Sequence, residues 1–549
     1  MKDKNLLFIT KNEKMFLGLV FIIFMIVGFI LLPDFTATWD EPRLISYADQ
    51  SLDAYKFLGV ENYVANFGTD DLKYYGPAYL VLANLIVKIV GFTLHISQII
   101  DIWHYINYIV FLLGGLFLYM LSRYWLSIQS SKFVFLLYLT QPVFLGHSFI
   151  NLKDIPFMVS FMATILVGIR AFDKLDLQGK LHRLAGNSPS QSIKSELVNI
   201  LNTGKILLKE KMIWLFIFLL GFTVAIRILG FWVGVIIFIY YYVVLNYRKN
   251  SIFAFIIYGA LALIVAYFFW PFLWENPIVN FLTSLRVMSA FPWPGLVLYN
   301  GNYYPPYAIP WDYFPLLLLY QLTEPFIILV FIAIPSLFFF NQKKNKKNKS
   351  FFVLFTIWFL IFFIGIVLGL ISLYDNFRQV LFIFPPLFIL AGFGYEFIAK
   401  RLKKSWQIFL AFILLLPGIL GIYNFRPYEY MYYNNFVGGT KNIYTRFETD
   451  YWGLSVYDAV EYVNQKAPLG SAVYVYGAPD VVGTYARSDL NLYHIMRPCP
   501  ISFENSYAII LVRGNSMETI CQDASIEYIA HKDNIPLTIV RKIISEKNK

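Results

Sequence analysis

Two acidic residues follow closely after the first apolar segment of the chain. Asp40 and Glu41 precede Pro42 in TWDEPRLISYADQ, residues 38–50. An ionisable group beside a bilayer costs free energy unless it has a partner or a function. A carboxylate held at the membrane surface can take a proton from a hydroxyl, so this pair is a candidate general base. The same spacing also fits a helix N-cap followed by proline in the first turn, and spacing alone leaves both interpretations open.

A third acid lies in GHSFINLKDIPF, residues 146–157. Asp154 is again placed to cap a helix, and His147 and Lys153 would then only mark the membrane interface. The functional interpretation puts Asp154 in a pocket shared with Asp40, because both acids are expected on the same face of the membrane. Two acidic sites on one face make a shared pocket more credible than either site alone.

Cations are expected on that same face, each near the end of an apolar segment: Lys153, Arg227, Arg286 and Arg378. Singly, such residues often extend their charged ends toward the membrane surface or pair with an acid. As a set that faces carboxylates, they have the charge and the hydrogen-bond donors to bind a phosphate group. The pattern therefore suggests a base beside an anion-binding cluster.

The composition indicates what kind of protein carries such a site. Of 549 residues, 58% are hydrophobic and only 14% are charged, whereas average proteins have about 25% charged residues. The mean hydropathy of +0.58 excludes both a soluble globule and a disordered chain. We therefore expect a helical polytopic membrane protein with room for one small soluble domain.

The formal net charge of +11 gives no reason to expect a nucleic-acid partner. Residues 424–549 carry 12 Lys and Arg against 13 Asp and Glu, so the basic excess lies in the hydrophobic part of the chain. Basic residues between apolar segments report how a chain is oriented in the membrane. The chain also lacks a GxxxxGK[ST] phosphate loop and an HExxH motif, so nucleotide hydrolysis is not supported.

Apolar segments long enough to cross a bilayer recur along the first 423 residues. A span needs about 17 to 25 mostly apolar residues. Eleven segments are predicted to span: 15–32, 103–122, 132–149, 155–172, 211–227, 229–246, 251–269, 314–339, 351–372, 379–397 and 407–423. A twelfth, 76–92, has Asn84 and Lys88 one helical turn apart and is predicted to lie in the interface as an amphipathic helix.

The position of 76–92 sets the orientation of everything that follows it. With this segment in the interface, the loops rich in Lys and Arg, including NQKKNKKNKS at 341–350, all fall on the side of the basic N-terminus. This is the arrangement that the positive-inside rule requires. We therefore predict a multi-pass protein of the plasma or inner membrane, with a cytoplasmic N-terminus and a transmembrane domain over 1–423. Its outer loops are 33–102, with interfacial helices, and 270–313.

Residues 424–549 are predicted to form a small α/β domain outside the membrane. The apolar patterning predicts one helix and three strands: 456–465, 472–476, 507–513 and 536–543. Cys499 and Cys521 both lie in this domain, in a compartment where a disulfide can persist. The sequence does not indicate whether their Cα atoms approach closely enough to form one.

Several motifs occur in a fixed order: WDEPR after the first span, NLKDIPF at the start of the fourth, WPFLWENP (270–277), GNYYPPYAIPWDYFP (301–315), LYDNFRQVLFIFPP (373–386), and YYNNFVGG with RFETDYWG (432–453). In order and topology they resemble membrane glycosyltransferases of the GT-C fold. The resemblance covers about residues 13 to 465. It is closest to the branch that contains protein O-mannosyltransferases and the aminoarabinose transferase of lipid A.

The resemblance implies transfer of a sugar from a polyprenyl-phosphate carrier to an acceptor on the outer face, with inversion at the sugar carbon. By position it gives Asp40 the role of base and Asp154 the second acidic position, and it puts Arg227 and Arg378 near the carrier phosphate; Lys153 is a further candidate for that phosphate. The expected partners are the carrier and membrane lipids. Neither the sugar nor the acceptor, which can be a lipid, a protein or a cell-surface polymer, is indicated.

Two positions depart from the family pattern. Glu324 stands where a simple Thr-Pro pair is expected, and Gln379 follows Arg378 where histidine is common. Some relatives bind a divalent metal near the donor. Glu41 and His147, which are possible secondary site residues, do not form a recognisable ligand spacing with Asp154, so no metal is assigned.

A transporter or flippase for lipid-linked sugars is the alternative function, because it would also be polytopic and basic. Such proteins usually place charges or broken helices near the bilayer midplane, whereas the distinctive charges here are expected at the outer surface. A non-enzymatic assembly or receptor protein would explain the outer domain but not the paired acids.

Overall fold

The computed structural model describes residues 9–56, 71–91, 96–177, 204–205, 207–244, 251–289, 291, 293–339, 346–495, 506–513 and 516–543. Apolar helices make up most of the described chain, and a small mixed sheet follows them near the C-terminus. The predicted fold class, a helical polytopic membrane protein with a small C-terminal α/β region, is confirmed. The sequence leaves a disulfide between its two cysteines undecided; Cys521 is disulfide-bonded, while Cys499 lies outside the described residues.

The helices that follow the predicted apolar segments are Lys11–Leu31, Ile96–Ser122, Ile128–Leu139, Pro142–Ile150, Asp154–Leu177, Lys211–Val224, Phe231–Val244, Ser251–Phe269, Tyr313–Gln321, Glu324–Phe339, Lys346–Phe355, Ile361–Val367, Pro385–Ala399 and Lys404–Phe425. Two predicted spans are bent pairs of helices. Ile128–Leu139 and Pro142–Ile150 meet at 59°, and Tyr313–Gln321 meets the following helix at 116°.

The predicted number of spans is higher than helix length supports. Among the described residues, six helices are long and apolar enough to cross a membrane, or eight if each bent pair counts as one span. The predicted spans 211–227, 229–246 and 379–397 are helical, but their helices are too short to pass that test. Hydropathy shows how long an apolar segment is. It does not show where the helix within that segment ends, because helix ends depend on packing against other segments.

The twelfth apolar segment forms the helix Ala78–Val90, which is shorter than a span. Its polar stripe has a partner, because Asn84 Nδ2 and Lys88 Nζ lie 3.0 and 2.6 Å from Asp49 Oδ1. Asp49 belongs to the neighbouring helix Glu41–Ala54. The two short helices therefore pack side by side next to the longer ones.

Aromatic packing holds the elements that will carry the site. Phe157, in the first turn of the helix Asp154–Leu177, contacts Phe382 with ring centroids 5.1 Å apart. Phe382 lies in the 3-10 turn Arg378–Ile383, whose residues are mostly buried. A glycine permits a second close approach, since a Cβ on Gly76 would lie 1.9 Å from the Ala225 carbonyl oxygen. Four segments distant in sequence thus converge at one end of the bundle.

The C-terminal region is built on a five-stranded mixed sheet. A two-residue-turn hairpin, β1 (Val297–Tyr299) and β2 (Asn302–Tyr304), precedes it in the chain. The sheet consists of β3 (Ala472–Tyr476), β4 (Asn491–His494), β5 (Ser506–Leu511), β6 (Ser525–Lys532) and β7 (Ile535–Ile543), in the order β4-β3-β5-β7-β6. The first three of these are parallel, and β7 is antiparallel to both of its neighbours.

One face of this sheet is covered by the helices Val456–Lys466 and Pro479–Tyr485. The predicted helix and the three predicted strands are confirmed, whereas β4 and β6 are additions. Ser455 occupies the N-cap of the first helix, but its hydroxyl bonds Asp450 and Thr538 instead of capping.

Candidate active site

Eight charged side chains meet where the bundle contacts the C-terminal region. The carboxylates are Asp40, Asp154, Asp375 and Glu448, and the cations are Lys153, Arg227, Arg378 and Arg513. Each acid in this cluster, which we call the charged cluster, lies within 4.0 Å of at least one cation. Charges of both signs can remain in a largely buried site because each offsets the desolvation cost of its partner.

Asp40 occupies a helix N-cap position without acting as a cap. It precedes the helix Glu41–Ala54, but its side chain makes no capping hydrogen bond. Its Oδ2 instead accepts from Lys153 Nζ at 2.9 Å and from Arg378 Nη1 at 3.3 Å. Burial alone would raise the pKa of Asp40, but the charges of Lys153 and Arg378 outweigh burial and hold this pKa well below its ordinary value. The structure therefore favours a role in the cluster over the capping interpretation.

Asp154 also makes side-chain contacts beyond its own helix. It is the first residue of the helix Asp154–Leu177, and its amide N–H is capped by Asn151 Oδ1 at 2.9 Å. Its carboxylate oxygens accept from Arg227 Nη1 at 2.5 Å and from Asn151 Nδ2 at 3.0 Å. Arg378 Nη1 lies 4.0 Å from Oδ2. Asn151 does the capping, which leaves the Asp154 carboxylate to face the two arginines.

Arg378 is the centre of the charged cluster. Its Nη1 faces Asp40 and Asp154, while its Nε and Nη2 donate to Asp375 Oδ2 at 3.2 and 2.9 Å. Its guanidinium carbon lies 4.5 Å from a ring centroid of Trp452 and 5.4 Å from that of Tyr374. Carboxylates and aromatic faces together hold this arginine in one orientation.

Tyr75 forms the opposite wall of the site. Lys153 Nζ lies 5.2 Å from the centroid of its ring, and the Arg227 guanidinium carbon lies 5.8 Å from it. Arg227 also donates to the Gln379 carbonyl oxygen at 3.0 Å. The sequence-predicted residues Asp40, Lys153, Asp154, Arg227 and Arg378 are therefore brought together in one place.

Glu41 and His147 make their contacts outside the charged cluster. The Glu41 carboxylate accepts from the Thr38 amide at 2.6 Å and lies 2.6 Å from His104 Nε2. His147 is fully buried, with Nε2 3.1 Å from the Tyr451 hydroxyl and Nδ1 accepting from Trp452 Nε1 at 3.3 Å. Arg286, another predicted cation, is exposed on the helix Pro277–Ser289.

Three members of the charged cluster were not predicted as site residues: Asp375, Glu448 and Arg513. The first two lie within motifs that the sequence already singled out, LYDNFRQ and RFETDYWG. Their buried ion pairs could not be foreseen from those motifs. Arg513 follows a strand of the C-terminal sheet, and no sequence signal connects it with residues of the bundle.

The described residues do not gather the donors that a divalent metal needs. Among them, no three His, Cys, Asp or Glu side chains are grouped so as to hold a metal ion. Asp40, Asp154 and Asp375 each direct carboxylate oxygens at a cation. Because each of these carboxylates already faces a Lys or Arg, the cluster fits an anion, which those cations can bind, better than a metal ion.

A largely apolar cavity of about 520 Å³ lies near the start of the helix Glu41–Ala54, and no residue of the charged cluster is among its lining residues. It lies between the helices Glu41–Ala54, Ala78–Val90 and Ile96–Ser122, and Glu41, the neighbour of Asp40, lines it. Most of its lining is apolar, including Ile45 and Val87. An apolar chain that ends near Asp40 would find room there.

No family model and no curated protein matches the sequence. The solved structures that are similar to the chain include two of ArnT from Cupriavidus metallidurans, a lipid A aminoarabinose transferase. The apo structure gives a TM-score of 0.48, and the structure bound to undecaprenyl phosphate gives 0.47. In both, identity is 12% over 96% of this chain and 98% of that chain. Similarity at this level transfers neither function nor residue roles to the chain.

Proposed function

We propose that this chain is a membrane glycosyltransferase that moves a sugar from a polyprenyl-phosphate carrier to an acceptor hydroxyl on the outer face of the membrane. The observation that carries the proposal is the contact of one carboxylate with two cations. Asp40 Oδ2 lies 2.9 Å from Lys153 Nζ and 3.3 Å from Arg378 Nη1. A candidate base and an anion-binding pair therefore occupy one site, which is the combination that the reaction needs.

In the proposed reaction the acceptor oxygen attacks the anomeric carbon from the face opposite the phosphate. A glycosidic bond forms while the bond between the anomeric carbon and the phosphate oxygen breaks, and its electron pair leaves with the polyprenyl phosphate. The hydroxyl proton passes to Asp40, which acts as general base. Lys153, Arg227 and Arg378 bind the phosphate and stabilise the negative charge that grows on it. The sugar is already activated, so no nucleotide is needed.

The resting ion pairs give donor binding a second effect. With Lys153 and Arg378 beside it, Asp40 has a lowered pKa and is a poor proton acceptor. A donor phosphate that binds the same two cations competes for their charge and weakens their hold on Asp40. The pKa of Asp40 then rises toward its ordinary value, because nearby positive charge is what lowered it. Donor binding thereby prepares the base for the acceptor.

Asp154 serves in this proposal as the second acid of the site. Its two oxygens face Arg227 and Arg378, so it orients both guanidinium groups toward the space in front of Asp40. Glu41 and His147 act outside the charged cluster. Glu41 pairs with His104, and His147 accepts a hydrogen bond from Trp452, whose ring lies against Arg378. The cavity that Glu41 lines accepts part of the isoprenoid tail in this proposal, since most of its lining is apolar and Glu41 is the sequence neighbour of Asp40.

The test is transfer by the purified full chain in proteoliposomes, with radiolabelled polyprenyl-phosphate sugars as donors and membrane extracts as acceptors. Label should pass to an acceptor with the unaltered chain and fail to pass with Asp40→Asn. Asp53→Asn is the matched control, because Asp53 lies on the same helix and pairs with Lys56 at the surface. Label that crosses the bilayer without transfer would indicate a flippase and contradict the proposal.

The acceptor can be identified separately. Mass spectrometry of surface glycans, glycolipids and proteins from a deletion strain should reveal one class that lacks a sugar. Complementation with Asp53→Asn should restore that sugar, and complementation with Asp40→Asn should not. If the deletion strain keeps all its surface glycans, the proposal of an outer-face transferase is contradicted.

A further inference from the structure

Arg513 connects the C-terminal sheet to the charged cluster. It lies two residues beyond β5, and its side chain is only 17% exposed. Its Nη2 donates to Asp375 Oδ1 at 2.6 Å, and its Nε lies 3.4 Å from Glu448 Oε2. The proposed reaction assigns no role to this arginine, although it is one of the four cations of the cluster.

Asp375 is shared between two arginines. One carboxylate oxygen accepts from Arg513, and the other accepts from Nε and Nη2 of Arg378. Asp375 and Asn376 have φ of 49° and 60°, a left-handed conformation that costs energy and is tolerated best by these residue types. Asn376 Nδ2 donates to the Tyr433 hydroxyl at 3.2 Å, which helps to fix the turn. Asp375 therefore joins Arg513 rigidly to Arg378.

A stack of aromatic rings gives a second connection. The Arg513 guanidinium carbon lies 5.5 Å from the centroid of a Trp293 ring. Trp293 stacks on Tyr374 with centroids 4.7 Å apart and planes 8° apart. Tyr374 in turn lies 5.4 Å from the Arg378 guanidinium. Each arginine thus lies against one of two stacked rings, Arg513 against Trp293 and Arg378 against Tyr374.

The buried acids Asp375 and Glu448 give Arg513 an electrostatic role beside Arg378. Asp375 and Glu448 are both almost completely buried. Without Arg513 these two acids would be short of positive charge, and they would draw Arg378 toward them. Arg378 contacts Asp40 through Nη1 alone, at 3.3 Å, so a shift of the guanidinium toward Asp375 would lengthen this contact. Arg513 supplies positive charge to Asp375 and Glu448, so that Nη1 of Arg378 can face Asp40.

We propose that Arg513 is a positioning residue, through which the C-terminal sheet holds Arg378 in the orientation that binds the carrier phosphate. This inference rests on the proposed function, since it takes Arg378 as a phosphate ligand. It makes the C-terminal region part of donor recognition. Arg513 itself acts through Asp375 and is not a ligand of the phosphate.

The experiment measures binding of farnesyl phosphate, a short isoprenyl phosphate, to the full chain in nanodiscs. Arg513→Gln should weaken binding about 5- to 20-fold, within the usual range of coupling between residues of one network. Arg513→Lys keeps the charge and should recover part of the loss. Arg487→Gln is the matched control, because Arg487 also lies in the C-terminal region but its side chain bonds Asp489 at 2.9 Å and the carbonyl oxygens of Asn464 and Ala467, none of which belongs to the charged cluster; it should bind as the unaltered chain does.

A double-mutant cycle separates positioning from general damage to the fold. In an Arg378→Gln background, Arg513→Gln should cause no further loss, since the residue that it positions is gone. An equal loss in both backgrounds would overturn the inference, as would equal losses in Arg513→Gln and Arg513→Lys at unchanged melting temperature. Should Arg513→Gln fail to fold, Arg513→Lys in the same cycle gives the decision.

The two proposals fail in different ways. If Arg378→Gln binds farnesyl phosphate as well as the unaltered chain, the proposed phosphate site is wrong. If Arg378→Gln weakens binding while a folded Arg513→Gln does not, the phosphate site stands and only the role of Arg513 is wrong.

Discussion

Asp40 and Glu429 are both carboxylic acids next to the membrane bundle, yet their surroundings shift their pKa values in opposite directions. Asp40 pairs with Lys153 and Arg378, and these charges lower its pKa. Glu429 is fully buried, and neither of its carboxyl oxygens has a hydrogen-bond partner on another described residue. Burial raises its pKa to about 8, and the charges of Arg426 and Lys532 offset this only in part.

The comparison shows that burial alone does not identify a reacting carboxylate. Glu429 packs closely against the helix Pro142–Ile150, where a Cβ on Gly146 would lie 3.0 Å from the Glu429 carbonyl carbon. Its raised pKa, about 8, favours the neutral form at neutral pH. The charged form of Asp40 is favoured because distant parts of the chain supply cations next to it. The partners of a carboxylate therefore decide whether burial raises its pKa or nearby charges lower it.

The largest effect expected is all-or-none and concerns the side of the membrane on which both carboxylates lie. A reporter enzyme that is active only outside the cell should work when joined after Lys549 and fail when joined after Lys347. The reason is that the basic loops are predicted to stay with the cytoplasmic N-terminus. The reverse pattern would place Asp40 and Glu429 on the cytoplasmic side and exclude an outer-face donor site.

The next effect concerns Asp40 itself. Asp40→Asn keeps the size of the side chain but removes the base, so turnover should fall by roughly 10² to 10⁴, the usual contribution of acid–base catalysis. Transfer assays at saturating donor, with equal amounts of folded protein, give the measurement. Near-normal turnover would show that Asp40 resembles Glu429 after all, as a carboxylate that serves the structure. Loss of activity through unfolding alone would contradict the role as well.

A smaller effect is expected on donor binding when Arg227, a proposed phosphate ligand, is replaced. Arg227→Gln removes one charge-assisted contact with the phosphate and should cost about 1.5 to 3 kcal/mol of binding free energy. Affinity for farnesyl phosphate gives the measurement. Arg446→Gln is the control, because Arg446 is exposed and bonds Asn300 on the outer hairpin. Unchanged affinity in a folded Arg227→Gln protein would remove Arg227 from the phosphate site.

The smallest effect tests Glu429 by its dependence on pH. A carboxyl whose pKa is raised in the folded state stabilises the protein below its unfolded pKa of about 4.5, and this contribution is lost as pH rises toward about 8. The free energy of unfolding should therefore fall by at most about 1.4 kcal/mol per pH unit in this range. Glu429→Gln should flatten the profile and leave turnover unchanged. Thermal unfolding between these two pH values gives the measurement, with Asp53→Asn as control; an unaltered slope in Glu429→Gln would show that Glu429 is charged when folded.

Much of the local structure could be predicted because it depends on local sequence. Long apolar runs bury backbone polar groups in helices, whatever their neighbours are, so helices were expected and found at the predicted spans. The strands Ala472–Tyr476 and Ile535–Ile543 follow from short β-branched and apolar runs in the same way. The lengths of the helices were less predictable, since their ends depend on packing against other segments.

For the site, the sequence by itself determined which residue types stand at the ends of apolar segments. This made Asp40, Lys153, Asp154, Arg227 and Arg378 candidates, but also Arg286, which lies outside the charged cluster. Only the tertiary structure decided how they pair. Glu41 turns to His104 while its neighbour Asp40 faces Arg378, which is 338 positions away. Arg513 reaches Asp375 across 138 positions. A charged side chain takes the partner that offsets its desolvation, and the packing of distant segments decides which partner lies within reach.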